Sequence, residues 1–140
     1  MASLDEIRDT FDLLDDWEAR YRYVIELGRA LPHLPEDAKT PENIVHGCQS
    51  RVWIRHRREG ARLVFELDSD ALIVRGLIAI VLAALDRKTP EELLAFDIDG
   101  LFEVLALKRH LSPMRGNGLS AMVARIRRIA TDASPARVTH

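Results

Sequence analysis

Three features of this sequence predict an α/β (α+β) fold, a small antiparallel β-sheet packed against several α-helices in a single domain. Two alternating runs flank Glu59-Gly60 and read as a β-hairpin; residues 71–85 are apolar nearly all round; and prolines and capping patterns divide the rest into amphipathic helical segments. With 140 residues the chain can bury roughly two thirds of its unfolded surface without disulfides or metal.

Ser3 and Glu6 form a capping-box pattern, and Leu4, Ile7, Phe11 and Leu14 then recur at helical spacing. A second helix is expected from Asp16, with Trp17, Tyr21, Val24, Gly28 and Leu31 on one stripe, ending where Pro32 and Pro35 remove backbone donors. The two are expected to pack as a helical hairpin. Residues 32–50 hold three prolines and no sustained period, which predicts a long connection with a short strand near Ile44 and Val45.

In the predicted hairpin, Val52, Ile54 and His56 alternate with Trp53, Arg55 and Arg57 before the turn, and Leu63, Phe65 and Leu67 alternate with Val64 and Glu66 after it. It is expected to form one edge of the sheet. Asp68, Ser69 and Asp70 are short polar residues suited to capping the helix that follows, and residues 71–85 are the expected central helix. Thr89-Pro90-Glu91-Glu92 combines an N-cap, proline at the first helical position and glutamate three residues beyond the cap.

A further helix is expected over residues 99–109, with Leu101, Val104 and Leu105 inward and Lys108, Arg109 and His110 at its C-terminal end. Ser112-Pro113 opens the last helix, in which Leu119, Met122, Val123, Ile126 and Ile129 form a stripe opposite a solvated face of Arg125, Arg127 and Arg128. Gly116 and Gly118 weaken its first turn. The domain is expected over residues 1–130, with 131–140 a mobile tail.

Composition excludes several roles. A formal charge of -2 and 47% apolar residues describe an ordinary globular chain and offer nothing to nucleic acid. The start is acidic and lacks the basic and apolar regions of a secretory signal, so a reducing, cytoplasmic location is expected. Residues 71–85 are too few to span a bilayer comfortably and include Arg75, so no membrane role is expected. His33, His46, His56 and His110 show no zinc-binding spacing, Gly116-Asn117-Gly118 lacks the lysine of a phosphate loop, and Trp17, Tyr21 and Tyr23 read as packing residues. No metal or cofactor is expected in this chain.

Cys48 is the only cysteine, which excludes an intramolecular disulfide, a paired-cysteine redox couple and a four-thiolate metal site. A nucleophile, a carrier of something bound to sulfur, and a small buried hydrophobe remain open. Gly47 permits unusual torsions, and Gln49 and Ser50 do not continue an apolar pattern, so Cys48 reads as lying at a loop apex.

Gly47-Cys48-Gln49-Ser50-Arg51-Val52-Trp53, then Asp68-Ser69-Asp70-Ala71 with Ile73-Val74-Arg75-Gly76-Leu77-Ile78-Ala79, then Leu111-Ser112-Pro113-Met114-Arg115-Gly116-Asn117-Gly118-Leu119 closely resemble, in order, the SufE/CsdE family of sulfur acceptors. The resemblance spans residues 10–130 and implies a compact α/β fold. It implies that Cys48 takes sulfane sulfur as a persulfide from a cysteine desulfurase of the SufS or CsdA kind, whose pyridoxal phosphate stays on that partner. It also implies stimulation of the desulfurase and delivery of the sulfur to an iron–sulfur cluster scaffold of the SufBCD kind, or to a different acceptor as for CsdE. Gly47, Gln49 and Ser50 would shape the loop, and Asp70 and Arg115 fall at positions near it. Arg115 is nominated as a cation that favours the thiolate. Other classes are a cysteine-nucleophile enzyme that borrows a histidine as base, and a binding module in which Cys48 is structural.

Overall fold

In the computed structural model, which describes residues 1–134, the chain is built around one buried helix. The elements in order are α1 (Leu4–Leu13), α2 (Trp17–Ala30), two single-turn 3-10 helices (Glu36–Ala38 and Pro41–Asn43), β1 (Val52–Glu59), β2 (Arg62–Ser69), α3 (Leu72–Leu85), α4 (Pro90–Ala95), α5 (Ile98–Val104), α6 (Leu107–His110) and α7 (Pro113–Ala133). The expected mixed fold is observed.

Helix α3 is the hub, buried along nearly its whole length, with α1, α2, β2 and α7 packed around it. Its closest neighbour is α2, because glycines stand where the helices meet. A Cβ on Gly76 would lie 2.0 Å from the Val24 carbonyl oxygen, and one on Gly28 would lie 2.5 Å from that of Leu72. This corrects the expected pairing of α1 with α2. Helix α1 meets α2 through Phe11, edge-on to Trp17 and Tyr23, and through Arg20, whose guanidinium donates to the Phe11 and Leu14 carbonyls. Tyr21, expected on the buried stripe, is exposed.

The expected hairpin forms, with Val52 opposite Ser69 and Glu59 opposite Arg62. Its two-residue turn places Gly60 at φ 61°, a conformation open to glycine. Among the described residues the sheet has these two strands alone, extended by single bridges from Ile44 to Trp53 and from Lys88 to Leu63. The hairpin is therefore the sheet rather than one edge of it. Near its base both faces are covered. Val52 and Ile54 enter the main core, while Trp53 packs with Leu34, Ala38 and Ile44 under the Lys39 ammonium.

The acidic residues before α3 do not cap it. The Asp68 carboxylate is fully buried and pairs with Arg75, itself only 5% exposed. Arg75 also donates to the carbonyls of Gly28, which already accepts from the Leu31 N–H, and of Leu31, at the end of α2. Asp68 accepts from the backbone N–H of Leu34 at 2.9 Å and of Ser69 at 2.8 Å, and His33 and Lys39 lie beside it. One buried ion pair thus joins the hairpin, α3 and the end of α2. The N–H of Ala71 instead bonds the Ser69 hydroxyl.

The expected helix over 99–109 is two helices. Ala106 has φ 55°, in the left-handed region, and interrupts the ladder. The break lets Leu105 and Leu107 both enter the core, which one continuous helix face could not do, and leaves Val104 71% exposed instead of inward. The Thr89–Glu92 capping box forms as expected. Helix α7 continues through Ala133, past the expected start of the tail, and Arg58 donates to its last carbonyl; residues 135–140 of that expected tail lie outside the described residues. Its arginine face is only partly solvated. Arg125 donates to the Ile44 and Glu42 carbonyls, and Arg127 to that of Leu94. Among the described residues no helix is long and apolar enough to cross a membrane.

Candidate functional site

Cys48 stands in the irregular segment between the second 3-10 helix and β1, and α7 forms the surface beneath it. Gly47 makes that approach possible in two ways. Its φ of 94° is strained for any other residue, and a Cβ there would already be 3.3 Å from the Ala121 methyl on α7. The chain can then lay Cys48 over Gly118, whose own missing side chain leaves room for the sulfur. Sequence reasoning marks Gly118 only as weakening the helix. The signal that could have identified it is a glycine interrupting an otherwise regular helical stripe, which commonly has a packing reason.

The Cys48 thiol is half-buried and donates to the Gly118 carbonyl oxygen, Sγ to O 3.5 Å. A small cavity of about 20 Å³ adjoins it. Gln49 and Ser50 line it from the loop, Val74 and Leu77 from α3, and Met114, Arg115, Leu119 and Met122 join Gly118 from α7. The predicted residues Cys48, Gln49, Ser50 and Arg115 are thus brought to one place by two segments far apart in sequence, and α3 completes the wall. Among the described residues the Arg115 guanidinium makes no ion pair or side-chain hydrogen bond; only its backbone N–H is engaged, by the Ser112 cap.

Asp70 does not line the cavity. It reaches the loop from the other side, where its carboxylate accepts from the Arg51 N–H at 3.2 Å and its own N–H bonds the Arg51 carbonyl at 3.4 Å. The Ser69 hydroxyl donates to the same carbonyl at 2.7 Å. Upstream, Arg125 holds the Glu42 and Ile44 carbonyls, and the Val45 N–H bonds the Val52 carbonyl at 2.8 Å. The segment is therefore pinned at both ends, with residues 46–50 between the pins. Sequence reasoning misses Arg125 because its target is backbone, which leaves no mark in the sequence.

Burial pushes the Cys48 thiol above its ordinary pKa. At neutral pH the retracted sulfur is therefore almost wholly S–H, which is the form that can donate to Gly118. Burial is the cause of that shift, and Arg115 stands in the cavity wall. No side-chain base hydrogen-bonds the thiol among the described residues. Nor do three or more His, Cys, Asp or Glu side chains gather there to hold a metal. A larger open hollow of about 610 Å³ lies over the α5–α6 break and shares no lining residue with this cavity.

The arrangement can present a single sulfur in two conditions. Retracted, it is protonated and half-buried; released from Gly118, it would be a free thiol on a short tether. In the second condition its thiolate can attack the outer sulfur of an S–S bond, the other sulfur leaving as a thiolate, without help from other groups.

The chain is similar to known proteins in sequence and in fold. The family described as "SufE: Fe-S metabolism associated domain" matches residues 5–130. An uncharacterised SufE-like protein of Rhizobium etli is 54% identical over 131 residues, covering 91% of this chain and 88% of its own length. One from Rhizobium meliloti is 49% identical over 140 residues, covering 97% of this chain and all of its own. The solution structure of a hypothetical protein from Thermus thermophilus superposes with a TM-score of 0.74 at 22% identity, covering 93% of this chain and 94% of that one, and so shares the fold.

Proposed function

The chain belongs to the SufE family of Fe–S metabolism, and on that premise we propose that Cys48 is a sulfur acceptor and carrier. It takes sulfane sulfur from a cysteine desulfurase and passes it to an iron–sulfur cluster scaffold in the cytoplasm. The observation that carries this reading is a lone thiol, held protonated in a small cavity on a segment anchored only at its two ends.

The step needs no cofactor in this chain. The Cys48 thiolate attacks the outer sulfur of the donor's persulfide, the donor's S–S bond breaks, and the donor leaves as a thiolate; with protons counted, R–S–SH and Cys48–SH become R–SH and Cys48–S–SH. Pyridoxal phosphate does its work earlier, on the desulfurase, when the sulfur leaves free cysteine. Retraction answers two needs: the raised pKa keeps the idle thiol from other electrophiles, and the cavity keeps the loaded sulfur from reductants and oxidants. Activation then comes from leaving the cavity, which exposes the thiol to solvent and frees it from Gly118.

A cysteine-nucleophile hydrolase would need a base in contact with the sulfur, and Cys48 is bonded to a backbone carbonyl instead. The test is alanine release by a cysteine desulfurase of this type under conditions where removing its persulfide limits turnover. Wild type is expected to raise the rate, and Cys48→Ser to leave it at the desulfurase's own rate. Stimulation by Cys48→Ser equal to that by wild type would make the protein a binding activator and not a carrier.

A further inference from the structure

The outer edge of β2 carries backbone groups that the chain itself leaves unpaired. We propose that this edge is a docking surface for an extended segment of a partner protein, with apolar residues alternating with acidic ones, which adds to the hairpin as a further strand. The proposal goes beyond the sulfur reading and does not depend on it.

In an antiparallel ladder every second residue turns both backbone groups away from the partner strand. On β2 these residues are Leu63, Phe65, Leu67 and Ser69. Leu63 is completed by the segment after α3: its N–H donates to the Lys88 carbonyl and its carbonyl accepts from the Arg87 N–H, both at 2.9 Å. At Phe65 that segment has already given way to α3, so no strand carbonyl is in place. The Asp86 side chain stands in for one and accepts the Phe65 N–H at 2.7 Å. Beyond Asp86 the substitution stops. The Phe65 carbonyl and the N–H and carbonyl of Leu67 make no hydrogen bond among the described residues, although Leu67 is only 2% exposed. Buried backbone groups are costly to leave unmatched, so a donor and an acceptor from outside the chain are called for.

A hollow runs along this edge, walled by Leu82 of α3 on the core side and by Leu31 and Pro32 on the other. One residue of an added strand placed opposite Leu67 would give and take a hydrogen bond at once, which is how a peptide augments a sheet. Its side chain would point to the Leu82 side, and those of its two neighbours to the side of His33 and Glu66. Glu66 is already held by Arg55 at 3.1 and 3.3 Å. Arg87, at the end of the hollow, reaches the carboxylates of Glu59 and Asp86 only at 3.8 and 4.0 Å. Together with the exposed His33 ring it offers charge to acidic neighbours. The hollow shares no lining residue with the cavity at Cys48, so a partner held here leaves residues 46–50 free.

The test is a titration of the isotope-labelled full chain with the capped peptide acetyl-Val-Glu-Val-Glu-Val-amide, followed by NMR. The Leu67 amide proton is expected to shift downfield, and its exchange with solvent to slow by about tenfold or more at saturation, as for an amide that exchanges only on local opening. The same peptide N-methylated at its central valine loses the donor for the Leu67 carbonyl and should produce neither effect. No change at Leu67 up to the solubility limit, which would mean that water alone completes the edge, would overturn the proposal. So would an equal effect from the N-methylated peptide. A shift at Leu67 that grows with protein concentration in the absence of peptide would give the edge to a second copy of this chain and overturn it as well.

Discussion

Gly76→Ala is expected to cost about 3 kcal/mol or more, the upper end of what overpacking a well-filled core costs. The added methyl would sit 2.0 Å from the Val24 carbonyl oxygen, 2.7 Å from its carbon and 2.6 Å from a Val24 side-chain carbon. Backbone cannot rotate aside as a side chain can, so α2 and α3 must separate. The effect should extend to the sulfur, because Val74 and Leu77, two residues before and one after, line the Cys48 cavity. Urea denaturation should show the loss of stability, and alkylation of Cys48 in the folded variant should be faster than in wild type. Wild-type stability would show that the α2–α3 contact is looser than described.

Arg75→Ala should be comparably severe, about 3–5 kcal/mol, because removing one partner of a buried pair leaves the other charged and desolvated. Here it also strips the Leu31 carbonyl of its Arg75 donor and leaves that of Gly28 with the Leu31 N–H alone. For a domain of this size that corresponds to a fall in Tm of about 10–20 °C. Asp68→Ala in the Arg75→Ala background should cost less than the two changes summed, since the stranded carboxylate is then gone.

The pair also fixes an acid limb. Burial is the largest influence on Asp68 and pushes its pKa up, but the Leu34 and Ser69 amides, the Arg75 guanidinium and His33 outweigh it and hold the pKa below its ordinary value. The stabilisation is therefore complete above the unfolded pKa of about 3.9 and is lost as pH falls through the lower folded value. Asp68→Ala should flatten stability against pH in that range. An unchanged acid limb would place its cause elsewhere.

The parts of the fold legible in the sequence are those with local causes. The hairpin shows as alternation on either side of Gly60, α3 as an unbroken apolar run, and α4 as a capping box within four residues. What was not legible depends on groups distant in the chain. Asp68 and Arg75 are only seven residues apart, yet nothing local says that the strand-to-helix turn buries them together, so the acid reads as a cap and the arginine as an interruption. Ala106 carries no sign that it will adopt a left-handed conformation. That choice is made by Leu105 and Leu107 competing for one core.

The candidate site divides in the same way. Cys48 is conspicuous by being alone, and its neighbours Gly47, Gln49 and Ser50 mark a loop. The α7 wall lies some seventy residues later, and the tie to Gly118 is made through backbone oxygen, where residue type says little. Family resemblance supplied Arg115 and Asp70 as neighbours of the loop. The structure separates them, with Arg115 in the cavity wall and Asp70 at the downstream pin, reaching the sulfur only through Arg51.

The claim that Cys48 carries sulfur is tested most directly by intact mass spectrometry of wild type and Cys48→Ser after incubation with a cysteine desulfurase and L-cysteine, without reductant. Gain of one sulfur atom by wild type alone, reversed by reductant, is the predicted result. No gain by wild type, or an equal gain by Cys48→Ser, would contradict it.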